Sequence, residues 1–289
     1  MISISDLDFW YSKKSPLIRK LNVNLATGKI HGILGLNGTG KSTLLKLIVG
    51  NLFAKSGSVT VQEFNISDRH TSILQDIYYL PEELDTPSTS ITKYVNAHSV
   101  FYPNFDIQKF NQVLSDFKVQ VQSKLNQLSL GQKKKVLIAF GLATNTKIIV
   151  FDEPTNGLDI PSKSQFRKII AKELSDDQML IISTHQVRDL GQMLDTVVIL
   201  DQGKIIFNHD IQTIEQKLLF IENNSESSDS DSLYSEKSMG NYIHILPNKD
   251  MEPSEIRLEV LFNAITENTN LITEQFNHRT ISFLIWNSR

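Results

Sequence analysis

Apolar positions recur along this chain with two different periods. Up to about residue 80 they come in short runs, over 2–4, 21–25, 30–35, 58–61 and 78–80, punctuated by Gly28 and Gly57. That pattern predicts strands joined by turns. Within this block, 43–49 places Leu44, Leu47 and Ile48 on one face and predicts a helix. Between about 83 and 127 the chain turns polar, and its apolar positions take helical spacing: Tyr94, Val95, His98 and Phe101, then Phe110, Val113, Leu114 and Phe117. A mainly helical insertion is expected there. From 128 to 220 helix and strand alternate, with helices over 130–144, 161–175 and 186–194 and strands over 147–151, 179–183 and 196–201. Lys147-Ile148-Ile149-Val150-Phe151 is a continuous apolar run, as central parallel strands covered on both faces require.

The last quarter changes character. Residues 222–240 are acidic and serine-rich, cannot bury an apolar face, and read as a linker. Residues 241–289 read as a small α+β extension: strand 242–246, helix 254–267, strand 280–286. The expected division is therefore a main domain over 1–221, a linker over 222–240 and a C-terminal extension over 241–289.

Composition narrows the function classes. At 289 residues, 40% apolar and 21% charged, the chain suits one large globular domain plus a small one. Its apolar stretches are too short to span a bilayer. Met1–Asp6 has neither a basic nor an apolar leader region, so no signal peptide is expected. Zero cysteines exclude disulfides and thiolate metal sites, and suit a reducing cytosol. A net charge of −3 gives no global attraction for nucleic acid. The one dense basic run, Lys133-Lys134-Lys135, reads as a solvated helix face.

The chemistry begins at Gly35-Leu36-Asn37-Gly38-Thr39-Gly40-Lys41-Ser42-Thr43, which fits the phosphate-loop pattern G-x-x-x-x-G-K-[ST]. An expected strand precedes it and an expected helix comes after it. Glycines let backbone N–H groups curl toward phosphate oxygens, and the helix start adds its positive end. Lys41 would contact the β- and γ-phosphates and Ser42 would ligate Mg²⁺. In the second half, strand 147–151 ends in Asp152-Glu153. Asp152 is placed at the sheet edge to hold Mg²⁺ through water, and Glu153 to accept a proton from an attacking water. By themselves the two acids could equally close a turn. Leu128-Ser129-Leu130-Gly131-Gln132 opens an amphipathic helix, which is either a plain helix cap or a second anion site.

In this order the motifs resemble those of the ATP-binding subunit of an ABC transporter, over residues 1 to about 220. The resemblance implies a P-loop NTPase of the α/β class: a mixed sheet, an antiparallel β-subdomain and a helical insertion. It implies that Tyr11, thirty residues before Lys41, stacks on adenine, with Trp10 as a rival. It makes His185 the switch residue at the γ-phosphate. Ser129, Gly131 and Gln132 become the signature that reaches ATP held by another subunit, and Asp159 helps join the halves. Two positions depart from the family pattern. Glu82 stands where a glutamine is usual, still able to ligate Mg²⁺ but with added charge. Leu130 replaces a glycine, at a cost of about 1 kcal/mol if that position needs positive φ.

Within the insertion, Phe101-Tyr102-Pro103-Asn104-Phe105-Asp106 resembles exporter ATPases of the bacitracin-resistance type, as does Leu258-Glu259-Val260-Leu261-Phe262 in the tail. The resemblance thus implies an ATPase that uses ATP and Mg²⁺ and closes as a homodimer, or a heterodimer with a similar ATPase. It would drive a separate integral membrane permease from the cytoplasmic face, with no nucleic-acid partner. Two alternatives stay open: a soluble ABC ATPase unconnected with transport, and a nucleotide-gated module that does not hydrolyse.

Overall fold

The computed structural model describes residues 1–121, 123–190, 193–225, 231–238 and 240–277. The chain divides into two compact units, Met1–Ile205 and Ile206–Arg289.

The first unit carries an antiparallel sheet whose strands run in the order Ile18–Leu25, Ile2–Phe9, Ser56–Val61 and Phe64–Asn65. Alternation sets its faces: Ile2, Ile4, Leu7 and Phe9, with Leu21, Val23 and Leu25 opposite, are buried. The register shifts between Ile4 and Leu7 and again before Phe9, and Asp6 takes a left-handed φ of 45°. Such irregularities bend a strand end and re-aim the residues beyond it. Here the re-aimed residues are Trp10 and Tyr11.

The second sheet places Ile77–Leu80, Ile148–Asp152, Met179–Thr184, Ile30–Leu34 and Thr196–Asp201 side by side. These strands pair in parallel. Every residue of Ile148–Asp152 and of Met179–Thr184 is buried, as the apolar runs require. Register aligns their exits: Leu34 pairs with Thr184, and Asp152 with Ser183. The loops after Leu34, Leu80, Asp152 and Thr184 therefore leave at one carboxyl edge, where open parallel sheets bind ligands. Helix Lys41–Ile48 buries Leu44, Leu45, Leu47 and Ile48 in a core shared with both sheets.

The helical insertion is present as Ile91–His98 and Ile107–Asp116. Ser90 caps the first helix through Lys93 N, and Asp106 caps the second through Gln108 N and Lys109 N. The insertion packs through Tyr94, Tyr102, Phe105 and Phe110, whose rings lie 5.0–6.5 Å from that of Phe140 on helix Leu130–Ala143. Of the helix expected over 186–194, residues 191 and 192 lie outside the described residues; among the described ones, Val187–Asp189 is a short 3-10 turn. Its polar groups bond outside any helix: Gln186 N donates to Thr184 Oγ1, and Asp189 takes Lys163 at 2.6 Å and Thr155 at 3.1 Å.

The second unit holds a three-stranded antiparallel sheet in the order Leu218–Asn223, Asn241–Pro247 and Tyr234–Ser238. Helices Ile211–Lys217, Leu258–Glu267 and Thr269–Asn277 accompany it. The segment expected as a linker is strand near both ends, because Leu218–Asn223 and Tyr234–Ser238 each find a partner in Asn241–Pro247. Tyr234–Ser238 has no buried residue, so its polar composition is compatible with an edge strand. The division between units falls after Ile205, ahead of the composition change near 221. Helix Leu258–Glu267 buries Leu258, Val260, Leu261, Phe262, Ala264 and Ile265. The strand expected over 280–286 lies outside the described residues.

Candidate nucleotide site

The loop from Gly35 to Lys41 is shaped by its glycines. Gly38 and Gly40 have φ of 82° and 105°, a region that residues with a β-carbon disfavour. A β-carbon at Gly35 would lie 2.6 Å from the Leu200 carbonyl oxygen and 2.7 Å from Thr39 Oγ1. Gly40 caps the helix without a side chain, so no carboxylate or hydroxyl from the cap covers the helix start. Asn37 is exposed and Ser42 half-buried beside the opening. Lys41 is buried. Its Nζ donates to the Gly35 and Leu36 carbonyls at 2.8 and 3.2 Å and lies 3.5 Å from Glu153 Oε1.

The neighbouring strands bring the acids. Asp152 Oδ1 accepts from Ser183 Oγ at 2.5 Å, and Oδ2 accepts from the Tyr79 hydroxyl at 3.3 Å. Burial, then the Asp152 charge, push the Tyr79 phenol far above its ordinary range, so it stays a donor. Glu153 is buried and has a left-handed φ of 47°. Its Oε1 accepts from the His185 backbone N–H at 2.9 Å and meets His185 Nδ1 at 2.8 Å, while Oε2 accepts from Thr184 Oγ1 at 3.2 Å. Glu82 Oε1 accepts from Asn156 Nδ2 at 3.1 Å, which brings the acid after Leu80 onto the loop after Glu153.

Tyr11 and Trp10 separate. The exposed Tyr11 ring packs edge-on against Phe9, and its hydroxyl lies 3.2 Å from Thr43 Oγ1 on the phosphate-loop helix. Trp10 instead lines a cavity of about 950 Å³ with Lys13, Arg19 and Lys204.

The remaining predicted residues form a second cluster. Ser129 and Gln132 make a reciprocal capping box: Ser129 Oγ accepts from Gln132 N at 3.3 Å, and Gln132 Oε1 accepts from Ser129 N at 3.1 Å. Gln132 thus spends its side-chain oxygen inside its own turn. Leu130 begins the helix and is not among the residues with positive φ, so the strain considered for it does not arise. Gly131 lies under the loop after Glu153, where an added β-carbon would stand 2.8 Å from the Gly157 carbonyl oxygen. Asp159 caps helix Ile160–Glu173 by accepting from Ser162 N at 2.9 Å.

The structure therefore links Lys41, Glu153 and His185 through short contacts, ties Asp152 to Glu153 through Ser183, and holds Glu82 on Asn156 and Tyr11 on Thr43. Ser129, Gly131 and Gln132 open helix Leu130–Ala143, and Asp159 opens helix Ile160–Glu173; among the described residues, no hydrogen bond or ion pair of the four reaches Lys41 or His185. Sequence reading missed Ser183, Thr184, Tyr79 and Asn156, which orient the acids. Only their places at strand ends and turns mark them. It also misread Lys134, which is buried, not solvated.

These residues fit a nucleoside triphosphate and a hard divalent cation. The glycine-lined cradle opens on an uncovered helix start, one buried ammonium stands inside it, and Ser42, Asp152 and Glu82 offer the oxygen donors that Mg²⁺ prefers.

Comparison with known proteins agrees with that chemistry. The ABC transporter family profile matches residues 18–156. The chain is 32% identical over 231 residues to the energy-coupling factor transporter ATP-binding protein EcfA of Onion yellows phytoplasma, covering 77% of this chain and 83% of that protein. It is 26% identical over 212 residues to the ABC transporter ATP-binding protein YtrB of Bacillus subtilis, covering 71% of each. It is 27% identical over 216 residues to the lantibiotic transport ATP-binding protein SrtF of Streptococcus pyogenes, covering 73% and 91%. Its fold superposes on an ATP-binding subunit of an ABC transporter with a TM-score of 0.67 at 20% identity, over 74% of this chain and 92% of that one. A dimeric ATP-binding cassette, MJ0796 with ADP and Pi, gives 0.65 at 22%, over 73% and 99%. Likeness of this extent to EcfA, in a chain that keeps the phosphate loop and its facing acids in order, reflects common descent: the chain belongs to the ATP-binding proteins of the ABC transporter family.

Proposed function

We propose that this chain is an ATPase subunit that closes as a head-to-tail dimer around two ATP molecules and drives a separate membrane permease, in the export direction. The observation that carries the reading is the Glu153 carboxylate, buried and aimed between Lys41 and His185.

Lys41 now satisfies itself on two carbonyls and Glu153. With ATP in the cradle it would turn to the β- and γ-phosphates and release Glu153 Oε1. Glu153 would then accept the proton of the attacking water, with His185 and Thr184 holding its orientation. Mg²⁺, when bound, would neutralise phosphate charge; Ser42 and Asp152 would hold it, with Glu82 as a third oxygen donor. Tyr11 would stack on the base. Ser129, exposed at a helix start, would serve the nucleotide of a second copy in a two-fold arrangement.

No described helix is long and apolar enough to cross a membrane, so this reading assigns the span to a partner that holds the chain at the cytoplasmic face. Val100 and Phe101 stand 72% and 63% exposed on the helical insertion, a suitable apolar contact for that partner. Export is supported by the bacitracin-type resemblance of residues 101–106 and 258–262.

The test is gel filtration of Glu153→Gln protein with ATP and Mg²⁺. A shift from monomer to dimer is expected; its absence counts against the shared site. Transport direction is read from vesicles in which this chain is reconstituted with a candidate multi-span permease.

A further inference from the structure

Lys134 is 1% exposed, whereas its neighbours Lys133 and Lys135 are half-buried. A buried ammonium persists only where partners offset its lost hydration. Its Nζ donates to the backbone carbonyl of Glu153 at 2.5 Å. That same carbonyl accepts from Asn156 N at 3.2 Å, and the Asn156 side chain donates to Glu82. On the other side, Glu153 N donates to Ser183, through its carbonyl at 3.2 Å and its hydroxyl at 3.1 Å. Glu153 holds a φ of 47°, which a residue with a β-carbon keeps only when its surroundings over-determine it. Among these hydrogen bonds the one from Lys134 alone has a charged donor, and charge-assisted bonds are the stronger kind. Lys134 also stands on the helix that begins beside Ser129. Burial lowers the basicity of its ammonium, and the charges of Glu82, Glu153 and Asp152 act the other way.

We propose that Lys134 is a positioning residue for Glu153: it clamps the left-handed turn that aims the carboxylate and ties that turn to the helix carrying Ser129. Contact of Ser129 with the nucleotide of a second copy is thereby passed to the Glu153 of the same chain. The proposal rests on the reading of Glu153 as proton acceptor.

The experiment compares Lys134→Met, Lys134→Gln and Lys134→Arg in the full chain. Loss of the donor in Lys134→Met is expected to lower kcat about 30-fold, with KM for ATP changed by less than about 3-fold, because Lys134 sets an orientation and does not bind the nucleotide. Lys134→Gln and Lys134→Arg, which keep an N–H donor, recover part of that loss. In the Glu153→Gln background, ATP-driven dimerisation of Lys134→Met on gel filtration persists. Turnover of folded Lys134→Met within about 3-fold of the parent overturns the proposal. So does loss of ATP-driven dimerisation in step with turnover, which marks a purely structural lysine. Should the Met protein fail to fold, the Gln and Arg variants decide: no rescue of kcat by either, with melting temperatures held, equally overturns it. Full activity of Glu153→Gln alone sinks instead the reading of Glu153, so the two failures are distinguishable.

Discussion

One oxygen of Glu153 is shared by two donors of His185: Oε1 takes the backbone N–H at 2.9 Å and meets Nδ1 at 2.8 Å. The remaining ring nitrogen, Nε2, lies 3.4 Å from Gln186 Nε2, an amide donor. Both contacts are satisfied by a single tautomer, with the proton on Nδ1. A glutamine at 153 keeps an acceptor for the His185 N–H but takes no proton. Glu153→Gln is therefore expected to fold normally and to lose about 100-fold or more in phosphate release. Undiminished release ends the assignment of Glu153.

Gly131 has no room for a side chain beneath the Gly157 carbonyl. Gly131→Ala must push away the loop that joins Glu153 to Asp159. The expected cost is about 1–3 kcal/mol of stability, as for other overpacked sites, together with a fall in turnover. A melting temperature equal to that of the parent would show that the loop yields freely.

Tyr11 offers an exposed ring whose hydroxyl rests on Thr43. Base stacking on such a ring is typically worth ~1–3 kcal/mol. Tyr11→Ala should raise KM for ATP by about 10-fold or more, whereas Tyr11→Phe stays near the parent. Trp10→Ala should leave KM unchanged, since Trp10 lines a different cavity. The opposite order of effects between Tyr11 and Trp10 would exchange their roles.

Asp159 gives a pH test. The Ser162 side chain, then the Ser162 backbone, hold its carboxyl below the ordinary value. A depressed folded-state pKa means that the stabilisation is present above the unfolded value of about 4 and fades as pH falls through the lower folded one. The melting-temperature gap between parent and Asp159→Ala should thus be full at neutral pH and shrink in acid below about pH 4. A gap that stays constant across that range refutes the capping charge.

Much of the main unit was legible because its signals are local. The run 147–151 announces a buried strand, and Gly38-Thr39-Gly40-Lys41 needs no distant partner to be read as a phosphate loop. Among the described residues of the helix expected over 186–194, 187–189 form a 3-10 turn whose Asp189 answers to Lys163 and Thr155, residues that no local period reveals. Serine-rich residues 222–240 looked unstructured for the same reason: Tyr234–Ser238 is a strand only by virtue of Asn241–Pro247.

The amino-acid order alone therefore determined the motifs, their chemistry and the alternation of strand and helix, since backbone conformation and residue type act over a few neighbours. Only the tertiary structure decided which groups meet. Parallel register brings Asp152 beside Ser183, Glu153 reaches the donors of His185 across adjacent strands, and Lys134, one of three consecutive lysines, is the one drawn inside. Those outcomes depend on contacts between residues far apart in the chain, and burial, not composition, fixes what each charge faces.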